Sequence, residues 1–231
     1  MKTQTIINCV FAVAFVGYVV WQRNPTFGTI TCKKWRVVDE DGKMRIIAAA
    51  LANGQAGVQW FDKDEKQRIT AFTDANGQAG VQWLDKDEKM RIKAGTSVDG
   101  SASVEWYDKD EKGRLAAHTS VNGTAGVTWV DKDGKVRIDA ATSADGIAGV
   151  KWLDKDGKRR IHAATTAGGQ ASVVWFDKDE KGRLAAYTTP VDGQAGVLCY
   201  DKDGKVRISA ATLADGTVVL PTEDLNPPTK P

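Results

Sequence analysis
Two histidines and three cysteines are all that the 231 residues offer as soft ligands or as parts of a nucleophile–base pair. His118 and His162 lie at different phases of the repeat described below, two copies apart. No Ser-His-Asp arrangement, Cys-His pair or phosphate loop can be assembled around them. Cys9, Cys32 and Cys199 form an odd, scattered set, which gives no disulfide framework. Charge of one sign is missing too: 32 Lys and Arg against 30 Asp and Glu leave a net +2. A nucleic-acid footprint needs a one-sided basic patch, so nucleic acid is not an expected partner. Long hydrophobic runs are absent apart from one near the N-terminus.

What fills the chain is one unit, repeated. Gly54 to Asn76 reads GQAGVQWFDKDEKQRITAFTDAN, and Gly77 to Asp99 reads GQAGVQWLDKDEKMRIKAGTSVD. Copies open at Thr31 (degenerate), Gly54, Gly77, Gly100, Gly123, Gly146, Gly169 and Gly193, and the array runs to Asp215. The copy opening at Gly169 carries one extra residue, with Pro190 beside it. A period of this length signals a repeat architecture. Each unit holds two runs rich in Val, Trp, Ile and Thr, bounded by turn residues, which reads as strand, turn, strand, turn.

The second turn, as in Ala75-Asn76-Gly77, carries the Asn-Gly or Asp-Gly signal of a hairpin. The first, D-K-D-[EG]-K, places Glu65, Glu88, Glu111 and Glu180 where Gly134 stands in another copy. Glu disfavours positive φ, so a four-residue loop is expected there rather than a tight glycine-bulge turn. A four-residue first loop and a three-residue second loop set Trp60 opposite Ile69, Val58 opposite Ala71, and Ile69 opposite Trp83. Val, Trp, Ile and Ala then share one face in every copy. The other face receives the variable positions, Arg68 and its equivalents, and the column from Phe61 to Tyr200. The expected fold is an all-β repeat protein, an extended antiparallel meander of tandem hairpins with about fifteen strands. A β-solenoid with one coil per copy and a four-bladed propeller are the alternatives.

Ile6 to Trp21 is apolar apart from Asn8. Its sixteen residues fall short of the ~20 a membrane span needs, but Thr3 to Thr5 extend it. Trp21 suits the interface, and Lys2 and Arg23 can snorkel. No signal-cleavage site follows before Gln22-Arg23-Asn24-Pro25. The expected organisation is a single-pass transmembrane helix over 1–23, touching the bilayer through 6–21, a linker over 24–32, the repeat domain over 33–220 and a Pro-rich tail over 221–231. Arg23, Lys33, Lys34 and Arg36 would hold the repeats in the cytoplasm by positive-inside counting. A short N-terminus ahead of a large C-terminal domain favours the extracytoplasmic side, which is the expectation taken.

Three features could carry chemistry. The D-K-D loops suggest calcium, but lysines separate and close the acidic pairs, and the further oxygen ligands are missing. The arginine column (Arg68, Arg91, Arg114, Arg137, Arg160, Arg183, Arg207) comes with acidic neighbours that compete with phosphate. The tryptophan ladder (Trp60, Trp83, Trp106, Trp129, Trp152, Trp175) is either a core stripe or a docking platform. Paired carboxylates recur in every copy, and a catalytic site needs a unique constellation. No enzyme activity, cofactor or metal is expected.

The D-K-D-G-K-x-R-[IL] hairpins, such as Asp131 to Ile138 and Asp201 to Ile208, resemble those of bacterial membrane-anchored proteins of unknown function with tandem units of about this length. The resemblance covers about Lys33 to Asp215. It implies a β-repeat architecture and no activity. The Trp-rich face and the Glu in four loops depart from it. The functional expectation is a non-enzymatic, membrane-anchored scaffold, an accessory subunit of a larger respiratory or photosynthetic complex, with other membrane-protein subunits as partners. The alternative is a glycan or cell-wall binding module that uses the Trp ladder.

Overall fold
A computed structural model describes residues 31–220. The expected anchor at 1–23, most of the linker and the tail at 221–231 lie outside the described residues. Among the described residues no helix is long and apolar enough to cross a membrane.

Among the described residues seventeen strands follow one another with no helix between them. The first repeat supplies β1 (Lys34–Val38) and β2 (Met44–Ala50). Then come β3 (Ala56–Phe61), β4 (Gln67–Thr73), β5 (Ala79–Leu84), β6 (Met90–Thr96), β7 (Ala102–Tyr107), β8 (Gly113–Thr119), β9 (Ala125–Val130) and β10 (Val136–Thr142). The series closes with β11 (Ala148–Leu153), β12 (Arg159–Thr165), β13 (Ala171–Phe176), β14 (Gly182–Thr188), β15 (Ala195–Tyr200), β16 (Val206–Thr212) and the two-residue β17 (Val218–Val219). Each strand pairs antiparallel with the next. The meander is therefore established over solenoid and propeller. The count exceeds the expected fifteen because β1 and β17 pair as well.

Trp60 sits opposite Ile69, Val58 opposite Ala71, and Ile69 opposite Trp83. The expected register holds, but the expected first loop does not. Glu65 donates its N–H to the Asp62 carbonyl and Asp62 donates to Lys66, a three-residue loop. Glu65, Glu88, Glu111 and Glu180 all have φ near +60°. This is the glycine-bulge turn that glutamate should resist. The missing residue reappears one step along: Phe61 pairs with Gln67, and a bulge at Arg68 restores the register before Ile69.

The glutamates tolerate that backbone because their carboxylates have work in the neighbouring repeat. Glu65 Oε1 accepts from the Met44 N–H, Glu88 from Gln67, Glu111 from Met90 and Glu180 from Arg159, at 2.9–3.1 Å. A left-handed non-glycine residue costs about 1 kcal/mol, and one such bond returns a similar amount. Glu88→Ala, which keeps the strain and loses the bond, should therefore destabilise the chain by about 1 kcal/mol. Glu88→Gly loses both and should be close to neutral. Denaturant titration of the two variants checks this.

On the face away from the tryptophans, aromatic rings lie across glycines of the following strand. A Cβ on Gly80 would meet the Phe72 ring at 3.0 Å, and one on Gly196 would meet the Tyr187 hydroxyl at 2.8 Å. These are directly opposed cross-strand pairs.

Candidate functional site
The alternation that puts Trp60, Val58 and Ala56 on one side of β3 puts Ile69, Ala71 and Thr73 on the same side of β4. Repeated along the sheet, this lines up all six indoles on one face, as the spacing predicts. The face is not a core. Among the described residues Ala185 is the one buried hydrophobic side chain, and no side chain is fully buried. Trp83, Trp152 and Trp175 are 37% exposed and Trp129 is 40% exposed. Trp60 and Trp106 are half-buried. No second layer of described residues covers them.

Fifteen full-length strands at ~4.8 Å spacing and ~20 Å length give this face more than about 1,000 Å². The largest apolar patch on an ordinary monomer is roughly 300–600 Å². From β7 to β17 the sheet is concave. Its small-residue rows, among them Val104, Ala117, Val127, Ala140, Val150 and Ala163, line an open concavity of about 1400 Å³.

The ends of the strands are organised differently. Asp62 Oδ1 accepts the N–H groups of Asp64 and Lys66, and Oδ2 accepts Arg68 Nε at 2.9 Å. Arg68 also reaches the Asp85 carbonyl of the next repeat. The same own-loop and next-loop contacts recur at Arg45, Arg91, Arg114 and Arg160. These five arginines therefore staple adjacent loops, and their donors are occupied. Arg137 departs, donating to the Leu153 carbonyl at 2.9 Å, and Arg183 pairs with its own Asp177 without reaching the next loop. The Asp oxygens that a calcium ion would need are engaged in these bonds.

Partial desolvation is the largest single influence on Asp62 and Asp85 and pushes their carboxyls up. The paired arginine and the turn N–H groups together outweigh it and bring both down to about 2. For Asp108 the Lys112 N–H is the largest influence, and its carboxyl also falls to about 2. These groups titrate lower folded than unfolded, where the value is about 3.9. Their stabilisation is complete well above pH 4 and is lost as pH falls toward 2. The melting temperature should hold from pH 7 to 5 and drop between pH 4 and 2. In Asp85→Asn that acid-side drop should be shallower.

His118 lies opposite Gly126 and His162 opposite Lys151 and Val174, so the two imidazoles do not meet. Desolvation, then Arg159 and Lys151, hold the His162 imidazole below its usual value. Among the described residues no three His, Cys, Asp or Glu side chains gather as a metal site requires. Reasoning from sequence did not find the glutamate bridges or the aromatic–glycine pairs. The small residue, Gly or Ser, kept at the position opposite Phe72, His118 and Tyr187 was the available signal for the pairs.

No protein-family model matches the chain, and no curated protein matches it. Among solved structures it is similar to a porin-like protein from Bacteroides uniformis, at TM-score 0.20 and 9% identity, over 78% of this chain and 87% of that one. It is also similar to TcdB2-TccC3 without its hypervariable C-terminal region and to the Photorhabdus luminescens Tc holotoxin pore, at TM-scores 0.18 and 0.17 and 12% identity. In both cases 81% of this chain is covered but only 14% of the other. Scores this low carry no argument about fold or function.

Proposed function
We propose that this chain is a non-enzymatic, membrane-anchored scaffold that docks its tryptophan face onto other membrane-protein subunits. In this reading residues 6–21 hold it in the bilayer and the repeats lie on the extracytoplasmic side. It serves as an accessory component of a larger respiratory or photosynthetic complex, and it groups with bacterial anchored proteins built from D-K-D-G-K-x-R hairpins. The observation that carries the proposal is the uncovered Trp–Ile–Val face with no core behind it. Apolar area of that extent favours burial against another apolar surface.

The glycan reading has the indoles in its favour, since exposed rings can stack on sugars. Their same-face neighbours weigh against it: Trp106 is flanked across the strands by Ile92 and Leu115, and Trp129 by Leu115 and Ile138. Sugar recognition requires polar groups beside the ring to pair the hydroxyls. Purification in mild detergent, with identification of co-purifying chains, tests the choice. Stoichiometric membrane subunits are expected. Recovery of the chain alone, together with retention on insoluble cell-wall polymer, would reject the scaffold.

A further inference from the structure
Five of the seven junctions between consecutive repeats show how one repeat holds the next; Arg137 and Arg183 do not reach the following Asp carbonyl. Five arginines donate to the first-loop Asp carbonyl of the following repeat: Arg45 to Asp62, Arg68 to Asp85, Arg91 to Asp108, Arg114 to Asp131 and Arg160 to Asp177. Five lysines reach the next carbonyl along, as Lys66 does to Lys86 at 3.2 Å and Lys158 to Lys178 at 2.9 Å. The strand ladder closes beneath them, with the Ile or Leu of one repeat opposite the Trp-position residue of the next.

At β16 the same donors have no following loop among the described residues. Arg207 keeps its own Asp201, with Nε 2.7 Å away. Its side chain is 64% exposed, against 24–39% for the earlier arginines of the column. β17 pairs only through Ala211–Val219 and Thr212–Val218. Among the described residues nothing covers the other half of β16, where Val206 and Ile208 are about half exposed. An open apolar strand edge is a template for another strand.

The opposite end of the array carries the complement. The second position of the first loop is Lys in seven repeats, and that Lys pairs with the following Asp. In the first repeat it is Glu40, between Asp39 and Asp41. The Asp39 carbonyl accepts from the Gly42 N–H but, unlike Asp62, from no arginine of a preceding repeat among the described residues. One end thus presents unmet cationic donors and the other an acidic loop with carbonyls to spare.

We propose that copies of this chain associate head to tail, the β16 edge of one copy receiving the first loop and β1 of another. Arg207 donates to the Asp39 carbonyl of the second copy and Lys205 to its Glu40 carbonyl. Ile208 faces its Val37, so the junction repeats the geometry inside the array as far as Ala210, beyond which β17 holds Ala211 and Thr212. The contact is heterologous and builds open chains or a ring rather than a closed twofold pair. It goes beyond the scaffold reading and does not depend on it, because the contact runs along strand edges and leaves the tryptophan ladder uncovered.

The test uses the full chain in mild detergent and measures protein mass by light scattering corrected for detergent. The wild type should grow past the dimer as concentration rises. Lys205→Glu with Arg207→Glu closes one end, and Val38→Lys with Glu40→Lys closes the other; the second of these restores the residue of the other seven loops. Each double variant alone should stay at protomer mass. An equimolar mixture retains one good end on each partner and should form a one-to-one pair and nothing larger. That pairing also shows that both variants are folded. A wild type at protomer mass throughout, variants that associate like the wild type, or a mixture that does not pair would each overturn the proposal.

Discussion

Trp106→Ala combined with Trp129→Ala should release this chain from the membrane subunits proposed as its partners while leaving the sheet intact. Both residues lie mid-array on the uncovered face, each opposed by aliphatic residues of the adjoining strands. Indoles in the middle of an apolar contact carry a disproportionate share of binding energy, often about 2 kcal/mol or more each. Losing two of them should lower partner retention by at least about a hundredfold, since each 1.4 kcal/mol is a factor of ten. The cost to folding should be much smaller. Neither ring is in a closed core, so truncation leaves no sealed cavity of the kind that makes core substitutions expensive. Co-purification yield read beside far-UV circular dichroism separates the two effects. Retained assembly together with lost polysaccharide binding would instead favour the glycan alternative.

The second large effect concerns deletion. Removing Gly123 to Asp145 joins Asn122 to Gly146 and recreates the Asn-Gly turn that closes other repeats. Contacts in this sheet run only between consecutive strands. Stability is then close to a sum of neighbour terms, and one unit fewer should lower the melting temperature by only a few degrees. Removing a single residue instead, Thr128 from the middle of β9, should be far worse. A one-residue slip sends the rest of the strand to the opposite face. Trp129 would then point away from Ile138 and Leu115, and both junctions of β9 would fail. Thermal melts of the two deletions should differ widely, with the 23-residue excision the milder of the two.

Much of this architecture was legible because it depends on local rules. Period-two alternation fixed the shared face of Trp60, Val58, Ile69 and Ala71, and the Asn-Gly and Asp-Gly pairs fixed the second turn. The first turn was misjudged because the residue that decides it acts at a distance. Glu88 bends into a left-handed conformation, and the compensating donor is Gln67, 21 residues earlier. Nothing within the D-K-D-E-K loop announces that bond. The register survived the error because the bulge at Arg68 supplies the residue that the shorter loop gives up. The arginine column was correctly paired with its aspartates. Its second role, gripping the following loop, depends on the lateral spacing of hairpins, which only the assembled sheet provides. The tryptophan row was legible as a row. Whether anything lay over it was not, because the same alternation serves both a core face and a docking face.

In the proposed scaffold this face is open in the chain alone and closed in the complex. Thiol labelling along β9 tests it most directly, in a background with Cys9, Cys32 and Cys199 replaced by serine. Ala125→Cys and Val127→Cys report the tryptophan face, and Thr128→Cys and Val130→Cys report the other. In the isolated chain all four should react with a small reagent at comparable rates, because a single-layer sheet shelters neither side. In the assembled complex the first two should be protected at least about tenfold while the other two are unchanged. Alternating protection already present in the isolated chain would mean that the protein covers its own tryptophans, and the account would be wrong.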